Sequence, residues 1–173
     1  TLEPVVPDHD LDSYHFVPSE GRPECPQIKM MRQNGSIFFG AISHLQQQIQ
    51  EVEKREPAHK HLLLMASGIN FIDLAGAEFL AETARRYSRA GGSLSFYRMK
   101  ESVAETLRKG GFLKDIGEQN LYPARSRPAD ALFQNLDKSV CEGCTKRVFR
   151  ACQEVSRTSE NAHQQTLIQG ALL

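Results

Sequence analysis

The stretch from residue 62 to residue 90, LLLMASGINFIDLAGAEFLAETARRYSRA, contains the two patterns that decide the fold. It opens with the apolar run Leu62–Met65, which is typical of a strand buried on both faces. Asp73 is then placed to accept hydrogen bonds from the free N–H groups at a helix start. From Leu74 onward, apolar residues recur at helical spacing until the pair Gly91-Gly92. The stretch therefore predicts a strand, a loop and a helix.

The rest of the chain predicts further strands and helices in alternation. Asn34-Gly35 lies between the β-prone runs Ile28–Arg32 and Ile37–Phe39 and favours a hairpin, because both residues tolerate positive φ. Apolar spacing at Ile42, Leu45, Ile49 and Val52 predicts a helix that ends before Pro57. A strand at Leu94–Tyr97, a helix at Glu101–Lys109 and a helical turn around Phe112, Leu113 and Ile116 are predicted next. An edge strand at Leu121-Tyr122 and a last helix from Pro128 to Phe149 or Cys152 complete the prediction. This order predicts a single α/β domain, with a mixed sheet of about four to five strands covered by about five helices.

The two ends of the chain differ in composition from its middle. Residues 1–27 hold five prolines, and six acidic side chains against Arg22 give a net charge of −5, so we expect an extended acidic linker. Apolar residues within it that remain candidates for contact with the domain are Val5, Val6, Tyr14, Phe16 and Val17. Residues 153–173 are polar and lack a regular pattern, so we expect a disordered tail. The domain itself is expected at residues 28–152.

Charge and hydropathy limit the classes of partner. The 21 basic and 21 acidic side chains cancel, so we expect no nucleic-acid partner. Residues 85–128 nevertheless hold ten basic against four acidic side chains, a net charge of +6 that suits either an acidic protein or a solvated face. No apolar run approaches the roughly 18 to 20 residues that span a bilayer. Because the chain begins with Thr1, we expect a fragment of a longer protein, with any membrane association supplied by another part.

The residues Asp73-Leu74-Ala75-Gly76 resemble the signature of the STAS domain, in which Asp is followed by any residue, by Ser or Thr, and by Gly. This module is shared by transporters of the sulfate permease (SulP) family and by anti-sigma-factor antagonists. Together with the order of elements, the resemblance extends over residues 28–152, and the chain is similar to the cytoplasmic carboxy-terminal domain of a bacterial SulP anion transporter. The resemblance implies a STAS-like fold without enzymatic activity, at the cytoplasmic face of the inner membrane. The implied role is to support the activity or trafficking of a transporter for sulfate, bicarbonate or a dicarboxylate.

Ala75 departs from the family pattern. In the antagonist branch, as the resemblance implies, the Ser or Thr of the motif is phosphorylated and switches partner binding. Ala75 has no hydroxyl group and accepts no phosphate. This favours the transporter branch over the alternative, a free-standing anti-sigma-factor antagonist. The proline-rich segment at residues 1–27 also argues against that alternative.

The predicted partner-binding surface surrounds the start of the helix at Leu74. Its role would be to dock a cytosolic, acidic protein partner, with the transporter's own membrane domain as a second partner. A nucleotide is a less favoured ligand, although a helix N-terminus presents free N–H groups to phosphate. The predicted residues are Ile69, Asn70, Phe71, Asp73, Leu74, Ala75, Gly76, Glu78, Arg85, Arg86 and Arg89.

Chemistry elsewhere in the sequence is limited to the cysteines. The sequence has no Gly-x-Ser-x-Gly elbow, phosphate-loop lysine motif, His-Glu-x-x-His or dinucleotide fingerprint, so we expect no enzyme and no cofactor. The pair Cys141 and Cys144 supplies only two of the four ligands of a structural zinc site. Cys152 adds a third, and Cys25 or His163 a fourth, at spacings that match no recognised motif. We expect reduced thiols without metal; a zinc or thiol-redox module remains the alternative.

Overall fold

The computed structural model describes residues 1–8 and 15–155, and a mixed six-stranded sheet runs through them. The strands are β1 (Leu2–Pro7), β2 (Phe16–Pro18), β3 (Ile28–Asn34), β4 (His61–Gly68), β5 (Ser93–Tyr97) and β6 (Leu121–Tyr122). They lie in the order β2-β1-β3-β4-β5-β6. Strands β3 to β6 pair in parallel, whereas β1 pairs antiparallel with both β2 and β3. The predicted α/β class and mixed sheet are confirmed.

Helices cover both faces of this sheet. They are α1 (Phe39–Arg55), α2 (Leu74–Arg89), α3 (Glu101–Lys109), α4 (Leu113–Ile116), α5 (Pro128–Phe133) and α6 (Lys138–Gly143), with 3-10 turns at Glu118–Asn120 and Arg150–Glu154. Helices α1 to α4 pack over one core, and α5, α6 and the following segment pack over the other. Among the described helices, none combines the length and the apolar character that a bilayer crossing requires.

Strand β4 is the centre of both cores. Leu62 and Leu64 point to the core under α1 and α2, whereas Leu63 and Met65 point to the opposite core. This is the alternation of a strand, whose successive side chains leave opposite faces. All four side chains are at most 4% exposed, which is why the sequence at this strand is a continuous apolar run and not an alternating one.

The described part of residues 1–27 contributes strands β1 and β2 and is built into the sheet. Val5 and Val6 of β1 are fully buried, and Phe16 packs edge-to-face on Tyr97 with ring centroids 5.6 Å apart. Glu3 lies 3.5 Å from Arg32 of β3, so at least one acid of this segment pairs with the sheet. The described residues therefore form six strands where four to five were expected. Tyr14 lies outside the described residues.

The predicted hairpin at Asn34-Gly35 is wrong. Gly35 does take a positive φ of 103°, but the chain does not return alongside β3. Ile37 instead forms an isolated parallel bridge with Ile72, and Phe39 already begins α1. Within the apolar run at residues 37–39, Ile37 is buried, whereas Phe38 and Phe39 are exposed and belong to an apolar surface described below.

The predicted last helix is also wrong in its length. It begins at Pro128 as expected but ends at Phe133, and a second helix begins at Lys138. Asp137 causes this restart, because its carboxylate accepts a hydrogen bond from the backbone N–H of Ser139 at 3.0 Å. The chain then becomes extended at Cys144. The predicted disordered tail at residues 153–173 lies outside the described residues from residue 156 onward.

Candidate functional site

Asp73 caps two helices at once. One carboxylate oxygen accepts from the backbone N–H of Gly76 in α2 at 2.7 Å, and the other accepts from the backbone N–H of Phe39 at the start of α1 at 3.0 Å. These backbone hydrogen bonds lower the pKa of the Asp73 carboxyl group. Because a carboxylate already occupies the positive ends of both helices, a phosphate group bound here would meet a like charge. The geometry therefore disfavours the nucleotide considered from the sequence.

Two loops are joined beneath Asp73. The backbone N–H of Asp73 donates to the Ile37 carbonyl at 3.3 Å, and the Phe71 N–H donates to the Ser36 hydroxyl at 3.2 Å. Gly76 packs so closely on Ile37 that a Cβ atom at this position would lie 2.4 Å from its carbonyl oxygen. The glycine of the motif is thus needed for the approach of α2 to the chain leaving β3.

Four large apolar side chains lie exposed around these loops, and we call them the apolar patch: Phe38, Phe39, Phe71 and Leu74. Their exposed fractions are 42%, 79%, 55% and 74%, respectively. The rings of Phe38 and Phe71 stack with centroids 6.0 Å apart. Phe71 and Leu74 belong to the surface expected from the sequence, whereas Phe38 and Phe39 were missed because the run Ile37–Phe39 was interpreted as a strand.

The structure separates the other predicted site residues by burial. Asn70 and Glu78 are exposed, and Asn70 accepts a hydrogen bond from the Lys100 ammonium group. Ile69 is fully buried in the core beneath α1 and α2, so its side chain is not available to a partner. Gly76 is also buried, at the contact with Ile37.

Ala75 faces a groove between α1 and α2. The groove has a volume of about 470 Å³, and Ala75 shares its wall with residues of both helices, among them Ile42, Glu53, Phe79, Glu82 and Arg86. The side chain is half-buried. The methyl group thus stands at the wall of a groove at the position where the family pattern has a hydroxyl group.

The predicted basic residues of α2 are paired within the domain. Arg85 binds Glu78 and Glu82 at 2.8 Å and Asp115 at 2.7 Å. Arg86 binds Glu53 at 2.6 Å, and Arg89 lies 3.8 Å from Glu82. The hydrogen bond and charge of Arg85 lower the pKa of Glu82. Because their charges are balanced internally, these arginines offer an acidic partner less attraction than the sequence indicates.

The cysteines form a second cluster, remote in sequence from the apolar patch. Cys141, Cys144 and Cys152, singled out in the sequence, line one cavity, and Cys25 lines it with them. His163, the other candidate fourth ligand, lies outside the described residues. The structure therefore brings together the four thiols that spacing alone did not connect.

A comparison with protein families matches residues 21–127 to the STAS domain model. The chain belongs to the STAS domain family. The match includes the Asp73 motif and strands β3 to β6, so the resemblance drawn from Asp73-Leu74-Ala75-Gly76 is confirmed.

Relatives of this STAS domain include transporters. It is 27% identical over 99 residues to the putative sulfate transporter YvdB of Bacillus subtilis; the match covers 57% of the chain and 18% of YvdB. The murine anion transporter Slc26a9 superposes with a TM-score of 0.63 at 19% identity, over 78% of the chain and 22% of the transporter. The chain thus spans about a fifth of the length of these two proteins.

Isolated STAS structures are similar as well. The SulP transporter STAS domain of Vibrio cholerae matches with a TM-score of 0.50 at 23% identity, over 67% of the chain and 89% of that domain. The anti-sigma factor antagonist SpoIIAA matches with a TM-score of 0.52 at 12% identity, over 67% of the chain and 96% of the antagonist. At these identities the likeness establishes the fold alone, and the fold is common to both functional branches.

Proposed function

We propose that this STAS domain is a non-enzymatic regulatory and docking domain of a SulP family anion transporter. It acts at the cytoplasmic face of the bacterial inner membrane and supports transport or trafficking of an anion of the sulfate, bicarbonate or dicarboxylate class. The sequence similarity to YvdB, which is named as a putative sulfate transporter, supports this assignment. A cytosolic protein and the transporter's own membrane domain are the proposed partners.

The observation that carries the docking role is the apolar patch. Phe39 and Leu74 are each more than 70% exposed at the starts of two helices. Exposed apolar groups that cluster on a surface mark interaction sites more often than isolated ones do. Aromatic side chains also contribute strongly to binding when a partner buries them. The proposed partner surface is therefore mainly apolar, and the arginines of α2, which are paired within the domain, contribute less.

Ala75 supports the transporter assignment over the antagonist alternative. A phosphorylation switch at this motif position needs a hydroxyl group, and the half-buried methyl group of Ala75 has none. The antagonist fold match to SpoIIAA does not by itself favour either branch.

The test is anion uptake by cells that express the full gene from which this chain comes. Membrane-spanning segments encoded next to the chain are expected, and Leu74→Glu is expected to reduce uptake or membrane delivery. Val140→Glu is the matched control, because Val140 is 40% exposed and lies on α6, outside the apolar patch. A gene without spanning segments, or equal uptake by the wild type and Leu74→Glu, would contradict the proposal. Arg85→Glu with Arg86→Glu measures the contribution of these arginines separately.

A further inference from the structure

Four cysteines converge on one cavity although more than a hundred residues separate the first from the others. Cys25 lies three residues before the start of β3, Cys141 lies in α6, Cys144 caps that helix, and Cys152 lies in the 3-10 turn Arg150–Glu154. None of them forms a disulfide within the described residues. The fold therefore places four cysteine thiols, which are soft metal ligands, around one cavity.

The composition of this cluster matches one kind of metal site. Four thiolates complete the tetrahedral shell of a structural zinc ion, and two of them come from a C-x-x-C pair, the usual zinc spacing. The cavity measures about 10 Å³, which is about the space of one water molecule. It therefore suits a single ion better than an iron–sulfur cluster.

Arg147 supplies a second, independent observation. Its Nη1 donates to the carbonyl of Val155 at 2.7 Å and also to the carbonyl of Cys152, which fixes the guanidinium group beside the cavity. Its Nε and Nη2 atoms are buried and have no hydrogen-bond partner in the described part of the chain. Buried unpaired donors of a charged group are costly. An anionic tetrathiolate centre, with a net charge of −2, would give these donors acceptors, and Arg147 would offset one of its two negative charges.

Gln27 further resembles a residue that supports a metal ligand. Its Nε2 donates to the Cys141 sulfur at 3.4 Å and to the Asp137 carbonyl at 3.0 Å. Its Oε1 accepts a hydrogen bond from the Asp137 backbone N–H at 2.9 Å. Outer-shell groups of this kind orient metal ligands.

We propose that Cys25, Cys141, Cys144 and Cys152 bind one Zn²⁺ ion as a structural tetrathiolate site, with Arg147 as its cationic neighbour. In the present arrangement no three metal-ligating side chains of the described residues stand at metal-binding geometry. Closure of the site therefore requires the thiols to move toward one another, and Cys144 and Cys152 are only half-buried. Binding breaks four S–H bonds, forms four Zn–S bonds and releases four protons to solvent, without oxidation or reduction.

The site would tie the segment before β3 to the end of the domain. Burial raises the pKa of Cys25 to about 11, and burial likewise raises the pKa of Cys141 and of Cys152. Each thiol must lose its proton to bind zinc, so the affinity for zinc increases with pH.

The test is zinc analysis of the purified chain, expressed with zinc in the medium and freed of loosely bound metal. About one zinc per chain is expected, together with four thiols that react with a thiol reagent only after a chelator is added. Substitution of Co²⁺ for Zn²⁺ should give the absorption of a tetrahedral thiolate complex. The proposal would be overturned by less than about a fifth of a zinc ion per chain, or by iron together with labile sulfide. It would also be overturned by a mass that shows a disulfide in the chain purified under reducing conditions.

Variants assign the ligands. Cys25→Ser and Cys152→Ser are each expected to lower zinc affinity at least about tenfold. Thr145→Ser, an exposed change between the C-x-x-C pair and Arg147, is the matched control and should retain zinc. Retention of zinc by Cys25→Ser would overturn the four-thiolate assignment. If a cysteine variant does not fold, the thiol-protection measurement on the wild-type chain still decides the question.

Discussion

The side-chain carboxylate of Asp73 accepts a hydrogen bond from the backbone N–H of Phe39, 34 residues earlier in the chain, at 3.0 Å. Phe38, which precedes α1, provides no side-chain cap of its own. The motif residue that starts α2 thus also completes the start of α1, and the two helix ends that carry the apolar patch share one acceptor.

Asp73→Ala should therefore destabilise the domain more than loss of an ordinary cap. The N–H groups at two helix starts lose their acceptor, so the loss in unfolding free energy should be about twice that of Asp137→Ala, which uncaps α6 alone. Urea denaturation of both variants measures this. Equal losses would show that the bond to Phe39 contributes nothing.

The contribution of Asp73 should disappear in acid. Its pKa is lowered from an ordinary value of 3.8 by the bonds from Gly76 and Phe39, so its stabilisation is fully present above that value and is lost as the pH falls through the folded-state pKa. The difference in stability between wild type and Asp73→Asn should therefore shrink below about pH 4. Unfolding measured from pH 7 down to pH 2 tests the sign; a difference that grows on acidification would contradict it.

Gly76→Ala should cost roughly 1–3 kcal/mol, because the new methyl group would lie 2.4 Å from the Ile37 carbonyl oxygen. Gly143→Ala is the matched control, since no atom lies within 4 Å of its added Cβ and alanine favours a helix. The control should be neutral or stabilising by up to about 1 kcal/mol. Thermal unfolding of both variants compares them, and a neutral Gly76→Ala would refute the close contact.

Leu74→Glu and Phe39→Glu should change stability by no more than about 0.5 kcal/mol, because these side chains are largely exposed. Leu80→Ala, at a side chain that is 1% exposed on the same helix as Leu74, should instead cost about 2–5 kcal/mol. Denaturant unfolding provides the measurement. A large loss from Leu74→Glu would mean that the apolar patch supports folding and is not free for a partner.

Val5→Ala should cost about 1–3 kcal/mol, because this side chain of β1 is fully buried. Val140→Ala, at a 40% exposed position, should stay within about 0.5 kcal/mol. If Val5→Ala were as mild as the control, residues 1–7 would behave as the linker that their composition suggests.

The sequence predicted best the elements whose burial pattern is local. Apolar spacing located α1, α2 and α3, and a continuous apolar run located β4, because each of these signals arises from the element's own periodicity. Strand β1 was missed because Pro4 and Pro7 argue against regular structure, whereas the structure places this strand between β2 and β3. Such a pairing depends on distant partners, which periodicity does not report.

Only part of the candidate site was predicted, because some of its residues are brought together by contacts between distant parts of the chain. Asp73, Phe71 and Leu74 follow from a helix-start pattern in adjacent residues. Phe39 was missed because its proximity to Asp73 is created by the bridge between Ile37 and Ile72, far apart in sequence. Cys25 was one of two candidate fourth ligands in the sequence, and its place beside the C-x-x-C pair follows from the fold.

The antiparallel placement of β1 also fixes where the chain enters the domain. The amino group of Thr1 donates to the carbonyl of Asn34 at 3.1 Å. Asn34 is the last residue of β3, and Phe38 of the apolar patch follows it four residues later. A polypeptide joined ahead of Thr1 would thus emerge beside the apolar patch. Such a tether raises the local concentration of whatever it carries, so even an intrinsically weak contact with the patch would be populated within one molecule.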